Sequence, residues 1–73
     1  MILTKVEATK LRAMLEYDRF NGTGNVIRKT PTDIVVAMIW EHGVHIYQYE
    51  PEAIKYSARE VFSKDEFKRA YNV

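Results

Sequence analysis

The residues best suited to chemistry lie in one stretch in the middle of the chain, IWEHGVHIYQYE. It places Glu41, His42 and His45 within five positions, followed by Tyr47 and Tyr49. Imidazole and carboxylate groups are common zinc ligands and common proton carriers. The spacing therefore raises the question of a metal site or a catalytic site, and the answer depends on the elements that hold these residues.

A metal site is not expected from this spacing. Zinc needs three or four ligands that converge on one point, and the chain has two histidines and no cysteine. His42 is predicted at the tip of a turn and His45 along a strand, so their imidazoles should not converge. The pattern also differs from the helical H-E-x-x-H motif, in which both imidazoles share a face. We expect no metal and no cofactor.

Catalytic patterns are also missing from the sequence. Ser57 and Ser63 have no recognisable nucleophile setting, and Ser63 fits the cap of a helix. Glu50 and Glu52 flank Pro51 in a predicted turn, where solvated carboxylates are more typical than an acid/base pair. A chain this short has little volume for a pocket that excludes water. The sequence predicts a protein that is not an enzyme.

Size and composition predict one small, ordered domain over residues 1–73. A chain of 73 residues buries only about 60% of the surface that its unfolded form exposes, so its core is small. Its apolar content of 47% is typical of a globular protein, and its 11 basic residues nearly balance its 10 acidic residues. The longest apolar run, Ile34 to Trp40, is too short to span a membrane. With no apparent secretory signal, we expect a cytoplasmic protein.

Both predicted helices begin at a capping box, in which a hydroxyl and a carboxylate satisfy free backbone amides. Thr4 and Glu7 form the first box, and the helix should run from about Lys5 to Phe20 and close at Asn21-Gly22. Its main apolar stripe is Ala8, Leu11, Met14 and Leu15, and a second stripe is Val6, Ala13, Tyr17 and Phe20. Tyr17 and Phe20 either fold over the same core or form a surface for a partner. Ser63 and Glu66 form the second box, with a staple between Phe62 and Phe67, and predict a helix from Lys64 to about Tyr71.

The middle of the chain is ambiguous between strand and helix. The segment Thr30-Pro31-Thr32-Asp33 suits either a helix start or a type I turn, and Asn21 to Asn25 is interpreted as a connector. The run Ile34 to Trp40 is apolar on every side and begins with three β-branched residues, which favours a strand covered on both faces. A helix that ends at Gly43 is the alternative.

A hairpin is predicted across the opening stretch. Val44 to Tyr49 alternates like a half-buried strand, and Ile54 to Val61 is a weaker strand. A three-residue loop with a left-handed Gly43 would pair Trp40 with Val44, although a two-residue loop, His42-Gly43, would shift the register. The expected core face is then Trp40, Met38, Val36, Val44 and Ile46, and the other face is Ile39, Ala37, Val35, His45, Tyr47 and Tyr49.

The predicted fold class is α+β: an N-terminal helix, a mainly antiparallel sheet of three to four strands, and a short C-terminal helix. If the segment before Gly43 were helical, the outline would instead approach a winged helix-turn-helix.

The first functional hypothesis is a small protein-binding module, with a homodimer expected. Its basis is a surplus of aromatic residues: Tyr17, Phe20, Trp40, Tyr47, Tyr49, Tyr56 and Tyr71. Tyrosine and tryptophan often anchor protein interfaces, and His45, Tyr47, Tyr49, Tyr17 and Phe20 are the candidate contacts. A compact, cysteine-free chain of this length resembles, in size and style, the accessory and inhibitor proteins of bacteriophages and mobile elements. Alternatively, the aromatic residues simply form the core.

The second hypothesis is nucleic-acid binding. Basic residues would flank a sheet on which tyrosines stack bases. The candidates are Arg28, Lys29, Lys55, Arg59 and Tyr56. The net charge of +1 argues against this hypothesis, as do the neighbouring acids Asp33, Glu41, Glu50, Glu52 and Glu60.

Overall fold

Two helices and a four-stranded antiparallel sheet make up the structure, a computed structural model that describes all 73 residues. The elements are α1 (Lys5–Met14), a 3₁₀ turn (Asp18–Phe20), β1 (Thr23–Lys29), β2 (Ile34–Ile39), β3 (Gly43–Glu50), β4 (Lys55–Ser63) and α2 (Lys64–Tyr71). The strands follow one another in the order β1-β2-β3-β4. The α+β prediction is confirmed, and the helix alternative for the segment before Gly43 is wrong.

Both helices lie on one side of the sheet, which we call the helix face; the other side is the open face. The helix face and the helices share one hydrophobic core: Leu3, Ala8, Leu11, Leu15, Val35, Ala37, Ile39, Val44, Ile46, Phe67 and Tyr71. The main stripe predicted for α1 is confirmed, with Met14 packed against the edge of this core. Neither helix is long and apolar enough to cross a membrane.

The pairing of β2 with β3 differs from the predicted register by one residue. Ile39 pairs with Val44, whereas the predicted partner of Val44 was Trp40. A slip of one residue moves every side chain of a strand to the other face. The predicted faces of β2 are therefore wrong: Val35, Ala37 and Ile39 lie in the core, and Val36, Met38 and Trp40 lie on the open face.

Gly43 is required for a reason other than the predicted one. Its backbone is not left-handed, and a Cβ at this position would collide with the carbonyl oxygen of Phe62 on β4. The turn that precedes it is closed by the Trp40 amide, which donates to the Gly43 carbonyl over 2.8 Å. Gly43 therefore allows β4 to approach β3 closely at the end of the hairpin.

The first helix is shorter than predicted, and the connector that follows it is a strand. The helix ends at Met14, and the Asp18–Phe20 turn brings Phe20 against the core. Gly22 has φ 81°, and its amide donates to the Ile39 carbonyl over 2.7 Å, which aligns the chain with β2. Residues 23–29 are mostly polar and include a glycine, so their sequence gives little strand signal, and this edge strand is held by pairing with its neighbour.

Arg28 joins three parts of the helix side of the molecule. Its Nε donates to Glu7 Oε2 over 2.8 Å, and its Nη2 donates to Glu7 Oε1 over 2.6 Å and to the Ile2 carbonyl over 3.0 Å. Its Nη1 donates to Asp33, whose other oxygen accepts from Gln48 over 2.9 Å. We call this group the Arg28 clamp. It connects the start of α1 to the β1–β2 hairpin, and the bond from Arg28 lowers the pKa of Glu7 to about 2.

Replacing Glu7 with Gln tests the clamp through its pH dependence. Because the folded-state pKa lies below the ordinary 4.5, the clamp stabilises the fold fully above about pH 5 and loses this effect as the pH falls toward 2. Gln can still cap α1, so Glu7→Gln should lower the free energy of unfolding at pH 7 by about 2 kcal/mol and flatten its decline in acid. Urea unfolding between pH 2 and 7 measures both effects.

The matched control is Glu66→Gln, which changes the same position of the second capping box but breaks no hydrogen bond to an arginine. It should reduce stability at pH 7 less than Glu7→Gln does. Equal losses in the two variants would contradict the role given to Arg28.

Adding a methyl group at Gly43 tests the close approach of β4. Gly43→Ala forces a backbone shift and should cost about 2–4 kcal/mol in the free energy of unfolding. Gly24→Ala is the control, because its Cβ would meet the flexible end of the Met38 side chain, and it should change stability by less than about 1 kcal/mol. Thermal unfolding of both variants gives the comparison, and a tolerated Gly43→Ala would contradict the packing described.

Candidate partner-binding face

The open face is a nearly continuous apolar and aromatic surface. The strand pairings place its residues in rows across the sheet, and each row draws one residue from each strand. The rows are Lys29-Ile34-Tyr49-Tyr56, Val26-Val36-Tyr47-Arg59 and Gly24-Met38-His45-Val61. No part of residues 1–73 packs over them, since both helices lie on the opposite side. The large apolar side chains at the edges are therefore well exposed: Tyr56 is 70% exposed, Val26 62% and Val61 52%.

The aromatic residues of this face contact one another in a line along β3 and onto β4. The rings of Trp40 and His45 lie 6.2 Å apart, and those of His45 and Tyr47 lie 6.4 Å apart. Tyr56 packs against Tyr47 at 5.9 Å and against Tyr49 at 5.2 Å. His45 Nδ1 lies 3.4 Å from the Tyr47 hydroxyl. These contacts hold the rings in a defined arrangement that is available to a partner.

A concavity of about 380 Å³ runs along the centre of the open face. Its floor is formed by β2 and its wall by the tyrosines of β3 and β4: Ile34, Val36, Met38, Tyr47, Tyr49 and Tyr56. We call it the tyrosine trough. Opposite the wall, β1 places Gly24, Val26 and Lys29 beside the floor, and no aromatic residue, so the trough is open toward that edge.

Charges are divided unequally between the two faces of the sheet. The carboxylates within the strands, Glu50 and Glu60, alternate onto the helix face, and Asp33 is held there by the clamp. Glu60 accepts from the Tyr71 hydroxyl, and burial raises the pKa of Tyr71 to about 12. The open face carries two cationic side chains, Lys29 and Arg59, on its outer strands.

The residues proposed for partner binding fall in two places. His45, Tyr47 and Tyr49 lie side by side on the open face. Tyr17 and Phe20 lie at the 3₁₀ turn outside the trough, with their rings 6.4 Å apart and the Arg19 guanidinium about 5 Å from each. Phe20 packs against the core, whereas Tyr17 is 55% exposed.

The residues proposed for nucleic-acid binding are also separated. Lys29, Tyr56 and Arg59 lie on the open face, whereas Arg28 is engaged in the clamp on the helix face. Lys55 pairs with Glu50 and points away from the tyrosines. Ile34, Val36 and Met38 were not predicted to belong to this surface, because the wrong register placed Val36 and Met38 in the core.

The residues that opened the question of chemistry do not form a cluster. Glu41 and His42 lie in the exposed turn between β2 and β3, whereas His45 lies on the open face. No three His, Cys, Asp or Glu side chains lie close enough together to hold a metal ion.

Comparisons with protein-family models, with curated proteins and with solved structures gave no match to this chain.

Adjacent valines of β2 test which face is the core. Val35 is fully buried, so Val35→Thr places a hydroxyl in the core and should cost about 1–2 kcal/mol in the free energy of unfolding. Val36→Thr has the same shape change on the open face and should cost less than about 0.5 kcal/mol. Chemical unfolding of the two variants measures the difference, and the reverse order would restore the register predicted from the sequence.

Proposed function

We propose that this protein is a small, non-enzymatic protein-binding module whose contact surface is the open face. The supporting observation is the composition of β2, which is apolar on both sides while only one side is covered by this chain. A strand of that composition is typical of a sheet buried on both faces. A partner that covers the open face would supply the missing layer.

The side chains of the open face suit such a contact. Tyrosine and tryptophan bury much area at a low entropic cost, and their polar groups can bond across an interface. Tyr47 and Tyr49 are half-buried and held by neighbouring rings, so they would lose little freedom on binding. We propose these two residues and His45 as central contacts, with Tyr56 and Trp40 at the margin.

The biological setting is part of the same proposal. A cytoplasmic accessory or inhibitor protein of a phage or mobile element would act by contact alone, which suits a chain of 73 residues. Such a protein blocks or recruits its target by covering a surface. A second copy of this chain is another partner that the open face can accommodate.

Nucleic-acid binding is the second candidate, and the division of charge favours it. The open face joins three tyrosines to Lys29 and Arg59 and carries no strand carboxylate, although the whole chain is nearly neutral. Single-strand binders combine aromatic rings with cations in this way. Binding of a fluorescent oligo-dT strand that weakens steeply with salt would support this function.

Partner capture with paired variants tests the main proposal. A tagged protein should retain a specific partner from a bacterial lysate, and Val36→Glu or Tyr56→Glu should abolish that capture because each places a charge on the open face. Val6→Glu is the matched control, since Val6 is 79% exposed on α1 and lies on the other side of the molecule. Circular dichroism should show that all three variants are folded. Capture that survives both open-face variants would contradict the proposal.

A further inference from the structure

We infer that the tyrosine trough receives one amphipathic α-helix of a partner protein, and that acidic residues flank the apolar stripe of this helix. The inference rests on the proposed protein-binding function and adds the shape and charge of the partner.

The dimensions of the trough fit a single helix. Its floor runs from Ile34 to Met38, about 14 Å at the rise of a strand, which matches two to three helical turns. The outer strands β1 and β4 are three strand spacings apart, also about 14 Å. A helix with its side chains is about 10–12 Å wide, so it would lie over β2 against the tyrosine wall, within the span of the outer strands.

The area of the open face also favours a small element. Four strands at about 5 Å spacing and roughly six residues in length give a face of about 400 Å². A helix of two to three turns that lies over β2 fits within this footprint and leaves the outer strands beside its flanks. One helix that lies in a groove is a contact of suitable size.

The two cations of the open face indicate that the partner helix carries acidic residues. Lys29 lies beside Ile34 at one margin of the trough, and Arg59 lies beside Tyr47 at the other. A helix in the trough would place the residues next to its apolar stripe near both cations, where Glu or Asp is favoured and Lys or Arg is disfavoured. A second copy of this chain would bring Lys29 and Arg59 again and no strand carboxylate, so its open face is a poorer electrostatic match.

The floor and the rings distinguish this partner from single-stranded nucleic acid. The floor is aliphatic, with Ile34, Val36 and Met38, whereas bases prefer aromatic platforms. Tyr56 meets Tyr47 at an interplanar angle of 65° and Tyr49 at 53°, so the rings pack on one another and do not present parallel platforms.

Two designed peptides test the inference on the complete chain. Both carry leucines at helical i, i+3/i+4 and i+7 positions and have equal helicity; one has Glu and the other Lys at the positions that flank the stripe. Neither contains tryptophan, so the fluorescence of Trp40, the single tryptophan of the chain at the end of the open face, reports binding. The Glu peptide should bind at least tenfold more tightly than the Lys peptide in low salt.

Charge reversal on the protein provides the decisive control. The double variant Lys29→Glu and Arg59→Glu should reverse the preference between the peptides, whereas Lys10→Glu with Arg69→Glu, an equal charge change on the exposed surfaces of the helices, should leave it unchanged. Val36→Glu should abolish binding of both peptides. This pattern supports the inference.

Other outcomes overturn it in distinguishable ways. If both peptides bind with equal affinity and Val36→Glu abolishes the binding of both, the proposed acidic character of the partner is wrong, whereas the proposed protein-binding function stands. If neither peptide binds, the proposal that a helix occupies the tyrosine trough is wrong. A mass twice that of the chain in light scattering, restored to the monomer mass by Val36→Glu, would identify a second copy as the occupant. If oligo-dT binds this face in a salt-dependent way and neither peptide binds, the proposed protein-binding function is wrong and nucleic-acid binding is supported.

Discussion

The register between β2 and β3 is the constraint on which the rest of the structure depends. Pairing Ile39 with Val44 sends Val35, Ala37 and Ile39 into the core under the helices. The same pairing turns Ile34, Val36 and Met38 outward beside the tyrosines. One turn between Trp40 and Gly43 thus determines both the core and the proposed binding surface, because the side chains of a strand alternate between its faces.

The Arg28 clamp and the charge of the open face are two consequences of one arrangement. The clamp places Glu7 and Asp33 around the Arg28 guanidinium on the helix side. Glu60 accepts a hydrogen bond from the Tyr71 hydroxyl on the same side. Carboxylates that stabilise the fold are thereby kept away from the tyrosines. A chain of net charge +1 consequently presents an open face whose only charged strand residues are cations. Net charge describes the whole molecule and conceals this division.

Features of the fold that depend on local chemistry could be predicted from the sequence. Both capping boxes are present, α2 runs from Lys64 to Tyr71 as predicted, and the Phe62 and Phe67 rings lie 6.1 Å apart as the staple requires. The strand character of β2 follows from its β-branched residues. Each of these signals needs only a few neighbouring positions, so no knowledge of tertiary contacts is required.

Features that depend on distant contacts could not be predicted in the same way. The register of the hairpin shifts by one residue with the choice of turn residues, and the observed pairing of Ile39 with Val44 buries Val35, Ala37 and Ile39 under the helices. The edge strand β1 has a mostly polar sequence and is held by pairing with β2. The group of His45, Tyr47 and Tyr49 was identified because all three lie on β3, whereas the aliphatic floor was missed because it required the correct register.

Tyrosine nitration of the protein, alone and with a captured partner, measures whether the open face is the surface that the partner covers. The five tyrosines include internal references: Tyr71 is buried, and Tyr17 is exposed away from the open face. If the open face is the binding surface, the partner should protect Tyr47, Tyr49 and Tyr56, while Tyr17 reacts and Tyr71 does not react in either state. Protection of Tyr17 with continued reaction of Tyr56 would contradict the assignment of the open face as the binding surface.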